Sequence, residues 1–275
     1  MTLWHLLFFI SDDNKIDSGN TDHLSLLNQL PLSLWAKSPT DVGKIHSTPP
    51  IKIKIDPSNP LLRINQYPIS KEPHEGIEPI IEAYKAQGLI IPCSSPCNTP
   101  ILPVRKPKGW GWRFVQDLPA INYTVIPWHP VVPNPHTLLT YIPTRSKFFT
   151  IIDLCSAFFS VPVDEASQYL FAFTGEEKQF TWTVTPQGFT ESPYFWQILK
   201  ADLDDMNFLR GSTSLHYVDD LLLYSPSPVS SQEDTIHLLK LLALKVHKAP
   251  EKNYSLPSLI FRTSHFRTRV TPRSS

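Results

Sequence analysis

The sequence is short of cysteine and of long hydrophobic runs, and each shortage excludes a class of protein. Three cysteines in 275 residues are too few for a disulfide framework and indicate a reducing, cytoplasmic compartment. The apolar run at residues 1–10 is shorter than the roughly 20 residues that span a bilayer. It also lacks the basic segment and cleavage site of a signal peptide. We therefore expect no membrane association, with residues 1–10 being either a targeting segment or a non-native leader.

The sequence also lacks a net charge, and it is rich in proline. The 25 basic and 25 acidic side chains cancel, and 28 of the residues are proline, about twice the usual share of roughly 5%. Many prolines lie between apolar residues, as in 90–104 and 126–136, which predicts extended, turn-rich segments. The length and the 41% hydrophobic content suffice for one or two domains with a core.

The periodicity of apolar residues predicts an α+β fold with a mainly antiparallel sheet covered by helices. A helix is expected over 75–88, with Ile80 on its apolar face, Gly88 at its end and Pro79 confined to its first turns. Two further helices are expected, one capped by Ser192 with Pro193 following, and one opened by a Ser230–Glu233 capping box. Strands are predicted at 51–55, 101–106, 112–117, 147–153, 158–163, 169–173 and 179–184, and a hairpin at 214–225.

Two adjacent carboxylates, Asp219 and Asp220, interrupt the apolar run "HYVDDLL" at 216–222. A buried unpaired charge costs several kcal/mol, so both should lie at the hairpin turn, in water or against a cation. Asp153 ends another apolar strand, and neighbouring strands would bring the three acids together, where two Mg²⁺ ions would offset their repulsion. Aspartate is also common in hairpin turns, so an ordinary turn remains the alternative at this point.

A second charged feature is the basic hairpin "KPKGWGWR" at 106–113, which contains Lys106 and Arg113. It is either a solvated loop or an arm that binds phosphate groups. Cys93 and Cys97 with His129 and His136 raise the question of zinc, but their spacing fits no closed structural site, so we do not expect one.

Seven stretches resemble, in order, the sequence of a retroviral reverse transcriptase, specifically the gammaretrovirus-like pol products of endogenous retroviruses. They are "QYPISKE", "QGLIIPCSSPCNTPILPVRKP", "RFVQDL", "IDLCSAFFSVPVD", "LFAF", "FTWTVTPQGFTESP" and "YVDDLLL". The segment that resembles the family runs from about residue 66 to residue 248, about two-thirds of the chain. The resemblance implies a right-hand polymerase fold. Residues 61–146 would form the fingers with the first palm segment, residues 147–248 the palm with its metal site, and residues 1–60 a polar, largely irregular linker.

The resemblance also implies which residues act. Asp153, Asp219 and Asp220 would be catalytic and would bind two Mg²⁺ ions, or Mn²⁺ in their place. The nucleotide would be bound by Lys106, Arg113, Ala157, Phe158 and Gln187, with the Phe158 ring excluding a ribose 2′-hydroxyl, and the template and primer by Gly188, Tyr217 and Val218. The reaction would be attack of a primer 3′-hydroxyl on a dNTP, templated by RNA or DNA, in a monomer.

The sequence departs from the family pattern at Thr185, Ser156, Pro119 and His216, where a bulky apolar residue, an aspartate, an arginine and a glutamine are common. Residues 248–275 contain six basic residues and one acidic residue, Glu251, and beyond residue 248 the sequence no longer resembles the family. It resembles out-of-frame sequence, so we expect a disordered basic tail over 249–275 and a chain truncated before the thumb.

Three hypotheses follow for the function. The first is an RNA-directed DNA polymerase domain. The second is a catalytically inert remnant that binds nucleic acid weakly and in a salt-sensitive way, which the zero net charge favours. The third, an unrelated two-metal nuclease, leaves "SAFF" and "PQGF" unexplained.

Overall fold

A computed structural model describes most of the chain, in two compact units. The described residues are 29–38, 40–43, 45, 48–106, 111–126, 134–143, 146, 148–190, 194–204, 206–217, 220–250 and 259–263. Unit 1 comprises Met1–Ser38, Val131–Cys155 and Trp196–Ser275, and unit 2 comprises Pro39–Pro130 and Ser156–Phe195. Residues 156–195, part of the predicted palm segment, thus cluster with residues 39–130.

The described elements make an α+β fold, as predicted. The strands are β1 (Trp35–Ala36), β2 (Ile90–Pro92), β3 (Ile101–Arg105), β4 (Trp112–Gln116), β5 (Phe148–Asp153), β6 (Phe173–Gly175), β7 (Lys178–Trp182), β8 (Thr213–Tyr217), β9 (Asp220–Ser225), β10 (Ala249–Pro250) and β11 (Leu259–Thr263). The α-helices are α1 (Lys71–Ala86), α2 (Pro119–Thr124), α3 (Pro135–Thr140), α4 (Glu165–Gln168), α5 (Tyr194–Asp204) and α6 (Pro228–Leu244). No helix in the described part of the chain is both long and apolar enough to cross a membrane.

Unit 1 is built on a four-stranded sheet in the order β11–β5–β9–β8, in which each neighbouring pair is antiparallel. One face carries a cluster formed by Ile142, Phe149, Ile151, Leu215 and Leu222. The other face packs against α6. Both faces of β9 are therefore buried, which explains why its sequence is continuously apolar instead of alternating.

A buried ion pair joins α5 to the residues after α6 in unit 1. The imidazole Nε2 of His247 lies 2.9 Å from the Asp202 Oδ2 atom, and the Lys245 ammonium lies 3.2 Å from Oδ1. Burial by itself would raise the pKa of Asp202, but the hydrogen bonds from His247 and Lys245 outweigh burial and lower it. The carboxylate therefore stays ionised although it is buried.

Unit 2 holds a three-stranded antiparallel sheet, β2–β7–β6, and the β3–β4 hairpin. Helix α1 packs on the hairpin through Ile77, Ile81 and Tyr84. Aromatic rings fill the core of this unit: the Trp182 indole stacks on Phe159 at a centroid distance of 4.9 Å and contacts Tyr84 at 5.1 Å.

Helix α1 differs from its prediction at its start. The helix begins at Lys71, so Pro79 lies in its interior and not in the first turns, and that prediction is wrong. The buried face on both sides of Pro79 offsets the backbone hydrogen bond that proline cannot donate. The end is as expected: Gly88 has φ +66°, and the Leu89 N–H donates to the Tyr84 carbonyl at 3.0 Å.

Three predicted strands are wrong or displaced. Residues Ala157–Ser160 form a 3₁₀ turn where a strand was expected at 158–163, and Tyr169–Phe171 form another before β6. The apolar residues of both segments are buried in turns, a pattern that a short apolar run does not distinguish from a strand. Residues 51–55 make only isolated bridges, Ile51 to Val163 and Ile55 to Val125.

Helix α6 starts three residues before the predicted capping box. Ser227 caps it, because its hydroxyl oxygen accepts a hydrogen bond from the Ser230 N–H at 3.1 Å, and Pro228 follows at the first helical position. Glu233 instead forms an ion pair with Arg210. At α5, Ser192 and Pro193 lie outside the described residues.

The tail predicted to be disordered contains two strands. Ala249–Pro250 pairs in parallel with Trp35–Ala36, and Leu259–Thr263 pairs along the length of β5. Leu259–Thr263 adds an edge strand to the sheet of unit 1, and Ala249–Pro250 forms a two-stranded sheet with β1, whereas the disorder predicted for the rest of 249–275 stays a prediction. The other residues of 251–275 lie outside the described part of the chain.

Candidate active site

Asp153 and Asp220 are register partners in the central strand pair of unit 1. Asp153 is the last residue of β5 and Asp220 is the first of β9. Across the other edge of β9, Asp220 pairs with Tyr217, the last residue of β8. Partner Cα atoms in an antiparallel pair lie about 4.5–5.5 Å apart. The backbone therefore brings the ends of three strands, two of them with an acid, to one end of the sheet.

The hairpin that carries Asp220 follows from its sequence. Val218 and Asp219, which separate β8 from β9, lie outside the described residues. The three leucines after Asp220 are each at most 1% exposed, and Asp220 itself is 3% exposed. A carboxylate held at this depth requires strong polar compensation.

The donor set at this sheet end fits a divalent cation. Asp153 and Asp220 stand at the ends of apolar strands, and Asp219 directly precedes Asp220 in the sequence. Carboxylate oxygens are the ligands that Mg²⁺ prefers. Among the described side chains, no group of three or more His, Cys, Asp or Glu residues forms a metal cluster. The predicted third ligand, Asp219, is outside that set.

His216 lies in β8 next to Tyr217 and is half-buried. Burial, reinforced by the positive charge of Lys200 and opposed by Asp204, lowers the pKa of His216 to about 4. The imidazole is therefore neutral at pH 7 and adds no positive charge beside the acidic end of the sheet.

In unit 2, the predicted sugar-contacting residues lie in a constrained turn. Ser156 adopts a left-handed conformation with φ 49°, and the 3₁₀ turn Ala157–Ser160 follows it. Ala157 is buried and Phe158 is half-buried. The Thr185 hydroxyl donates to the Phe158 carbonyl oxygen, and the Thr185 N–H donates to the Val161 carbonyl at 2.9 Å. The segment before "PQGF" thus holds the Phe158 backbone.

The "PQGF" loop is held by a residue that sequence reasoning missed. Gln187 and Gly188 are exposed, and Gly188 has φ +94°, a conformation that glycine adopts without strain. The Asn122 side chain in α2 donates to the Gly188 carbonyl at 3.0 Å and accepts from the Thr190 N–H at 2.9 Å. An amide side chain that pairs with two backbone groups leaves no periodic signal in the sequence.

The β3–β4 hairpin presents the predicted phosphate-binding residues. The Lys106 N–H donates to the Gly111 carbonyl at 2.9 Å, which closes the hairpin, and Lys106 is half-buried. Arg113 is exposed and lies opposite Val104 in the ladder. Arg105 is committed elsewhere, since it pairs with Glu72 and stacks on Trp112 at 5.2 Å. Lys108 lies outside the described residues.

The cysteines do not have the environment of metal ligands. Burial raises the pKa of both the Cys93 and the Cys97 thiols, which disfavours the thiolate that binds zinc. His129 lies outside the described residues, and the structure describes only the backbone of His136. Of the other predicted site residues, Asp153, Tyr217 and Asp220 lie in unit 1, whereas Lys106, Arg113, Ala157, Phe158, Gln187 and Gly188 lie in unit 2.

The fold of this chain is similar to that of solved foamy viral reverse transcriptases. Prototype foamy virus protease–reverse transcriptase (CSH mutant) matches with a TM-score of 0.74 and 26% identity, over 90% of this chain and 32% of that one. The foamy viral protease–reverse transcriptase in complex with RNA/DNA hybrid matches with a TM-score of 0.73 and 28% identity, over 91% and 32%. The fold is therefore that of a reverse transcriptase polymerase domain.

Sequence comparison gives the family. The family model "Reverse transcriptase (RNA-dependent DNA polymerase)" matches residues 104–252. The Gag-Pol polyprotein of Walleye dermal sarcoma virus is 45% identical over 231 residues, 84% of this chain and 13% of that protein. The Pol polyprotein of Feline endogenous virus ECE1 is 41% identical over 226 residues, 79% and 22%. The chain belongs to the retroviral reverse transcriptase family, and it spans less than a quarter of the length of these relatives.

Proposed function

We propose that this chain carries an RNA-directed DNA polymerase site that transfers a nucleotide from a dNTP to a primer 3′-hydroxyl. The observation that carries the proposal is the register pairing of Asp153 with Asp220 at one end of the sheet. The match of residues 104–252 to RNA-dependent DNA polymerases supplies the reaction class. A strand pair that holds two aspartates in register suits phosphoryl transfer, which needs concentrated negative charge to hold metal ions.

In this proposal Asp153, Asp219 and Asp220 hold two Mg²⁺ ions, or Mn²⁺ in their place. When bound, the ions supply neutralisation of the triphosphate charge and activation of the attacking oxygen. Lys106 and Arg113 bind the triphosphate through charge-assisted hydrogen bonds. The work of the protein is to orient these groups in line with the primer end.

The remaining predicted residues act by shape and contact. Phe158, next to Ala157, occupies the space that a ribose 2′-hydroxyl needs, and its backbone is held by Thr185. Gln187 contacts the nucleotide. Gly188, Tyr217 and Val218 contact template and primer, with the Gly188 backbone held by Asn122.

The proposed partners are a primed RNA or DNA template and a dNTP, bound by a cytoplasmic monomer. Related foamy viral enzymes have been solved in complex with dsDNA and with RNA/DNA hybrid.

Mg²⁺-dependent dNTP incorporation on a primed RNA template tests the proposal. We expect Asp220→Asn to lower incorporation by at least about 100-fold, because one ligand charge is removed. Asp204→Asn is the matched control, since Asp204 is exposed and pairs only with Lys200 among the ion pairs described. Equal activity in wild type and Asp220→Asn would remove the proposal.

A second function, nucleic-acid binding without catalysis, is favoured by the zero net charge. Most of the affinity for a duplex comes from phosphate neutralisation, so a chain without positive excess should bind weakly. Anisotropy titrations of a labelled primer–template at several salt concentrations measure this. Weak, salt-sensitive binding with no incorporation in any metal would support it, and tight binding at physiological salt would contradict it.

A further inference from the structure

The first half of α6 buries polar side chains where a helix packed on a sheet would normally bury apolar ones. Ser230, Ser231, Asp234 and Thr235 are each no more than 9% exposed. Only further along does the inward face become apolar, with Leu238, Leu239 and Leu242. A dense set of buried polar groups calls for a reason, because each one costs free energy unless it is hydrogen bonded.

The hydroxyl groups of this set hold strand β5. The Thr235 hydroxyl donates to the Thr150 hydroxyl oxygen at 3.0 Å, and the Thr150 hydroxyl is hydrogen bonded to that of Ser231 at 3.2 Å. Thr150 is completely buried in the middle of β5, three residues before Asp153. Two side chains of α6 therefore fix the axial position of the strand that ends in the first acid.

The carboxylate of the same helix face holds the hairpin. Asp234 is 2% exposed and accepts hydrogen bonds from the backbone N–H groups of Arg210 at 3.3 Å and Ser212 at 3.2 Å. These residues directly precede β8. The Ser212 hydroxyl in turn donates to the Ser225 hydroxyl at 2.8 Å, which closes the base of the β8–β9 hairpin.

The apolar residues of the sheet do not by themselves specify how β5 lies against β9. Ile151 and Ile152 face Leu222 and Leu221, with Leu223 next in line. A slip of one residue in one direction would set Ile151 opposite Leu223 and Ile152 opposite Leu222, so the pairing of aliphatic side chains does not by itself exclude that register. The pairing of Asp153 with Asp220 is lost in every slipped register.

We propose that Thr150 and Asp234 are positioning residues that, through α6, set the register in which Asp153 lies opposite Asp220. Helix α6 forms hydrogen bonds with both elements that carry the acids: with β5 through Thr150, and with the base of the β8–β9 hairpin through Asp234. Because both sets of bonds come from one helix, they fix the position of β5 along β9. Buried polar groups are known to specify register in coiled coils, where a single buried asparagine fixes the alignment of the helices. The catalytic consequence rests on the proposed polymerase function, whereas the register itself does not.

The test reads the register directly in the full chain. Cross-strand nuclear Overhauser effects between β5 and β9 in deuterated protein report which residues are paired, and they need neither metal nor activity. We expect Thr150→Val and Asp234→Asn to give shifted or doubled cross-strand sets. Thr150→Ser, which keeps the hydroxyl, and Glu233→Gln, on the neighbouring surface position of α6, should keep the wild-type set.

Two further readouts separate positioning from mere stabilisation. Mn²⁺ binding followed by electron paramagnetic resonance should weaken by about 10–100-fold in Thr150→Val and Asp234→Asn, the range for residues that orient metal ligands. If the wild type polymerises, kcat should fall by a similar factor in both variants while the dNTP KM stays within about twofold. Thr150→Ser should restore both.

A folded Thr150→Val and a folded Asp234→Asn with the wild-type cross-strand set would overturn the inference. Should Thr150→Val fail to fold, Thr235→Val removes only the donor of one bond and serves in its place. Absence of incorporation by the wild type would count against the proposed function alone, because the cross-strand set is read without it.

Discussion

The hydroxyl of Thr185 donates a hydrogen bond to the backbone carbonyl of Phe158. The bond ties the segment before "PQGF" to the turn that presents Phe158. Thr185 is 3% exposed, so water cannot replace the bond.

Replacing Thr185 with valine should lower the free energy of unfolding by about 1 kcal/mol, the usual contribution of one buried hydrogen bond. Valine keeps the shape of threonine, so packing is little changed. Urea unfolding followed by tryptophan fluorescence measures the difference. Thr185→Ser, which retains the hydroxyl, is the control, and a valine variant as stable as wild type would contradict the assigned bond.

His216 should make the stability of the protein depend on pH between about 4 and 6.5. Its pKa is lowered from 6.5 to about 4 in the folded state. The unfolded chain therefore binds a proton that the folded chain does not, and stability falls as the pH drops through this window, by up to about 1.4 kcal/mol per pH unit. Urea unfolding at successive pH values measures the slope.

His216→Gln is the matched variant for that experiment, because glutamine is polar and similar in size to histidine but does not titrate. We expect its stability to vary less between pH 4 and 6.5 than that of wild type. Identical slopes in the two proteins would show that His216 is not shielded from protonation.

Removing His247 should be strongly destabilising, because it leaves the Asp202 carboxylate buried with a single ion-pair partner. His247→Ala is expected to lower the free energy of unfolding by about 3 kcal/mol or more. Lys245→Met should cost less than about 1 kcal/mol, since Lys245 is about a third exposed. Thermal and urea unfolding at pH 7 compare the two. A larger loss for Lys245→Met would reverse the assignment of the main partner.

The Asp202 pair also has a pH signature. Because the pKa of Asp202 is lowered in the folded state, its contribution to stability is present above the unfolded value and is lost as the pH falls through the folded value. That window lies below the one set by His216, so the two contributions separate in a titration. His247→Ala should reduce the loss of stability at the acidic end only.

Gln116 should be essential to the core of unit 2. Its side-chain oxygen accepts from the Trp182 indole N–H at 2.7 Å, and its nitrogen donates to the Thr99 hydroxyl and to the Phe171 carbonyl. Gln116→Leu would leave these buried groups unsatisfied, at a cost of about 1–3 kcal/mol. The double variant with Trp182→Phe removes the orphaned indole N–H, so it should lose less than the sum of the two single variants in urea unfolding.

The hairpin that carries Asp220 could be predicted from sequence because its signal is local. The sequence has two apolar runs separated by a pair of aspartates, and this pattern predicts both strands and the turn between them. The observed strands lie within one residue of the predicted limits, 214 and 225. The position of Asp153 at a strand end was predictable for the same reason. That the two acids are register partners was not, since strand order depends on contacts between distant segments.

Predictions failed where local signals compete. The "SAFFSVPV" segment reads as a strand, but a 3₁₀ turn forms because Ser160 donates to the Ala157 carbonyl and Pro162 cannot donate to a ladder. Near the start of α6, both Ser227 and Ser230 are residues that can cap a helix. The helix is capped by Ser227, with Pro228 at its first position, and Ser230 is a buried residue inside the helix. The buried face in the first half of α6 consists of polar residues, so the periodicity of apolar residues could not predict it.

Strand β11 has a consequence for the handling of this protein. It covers the backbone of β5 that is not paired with β9. If residues 259–263 were removed, β5 would become an open border of the sheet with a row of unsatisfied amides, and such borders recruit strands from neighbouring molecules. Shortened versions of this polypeptide should therefore self-associate with rising concentration.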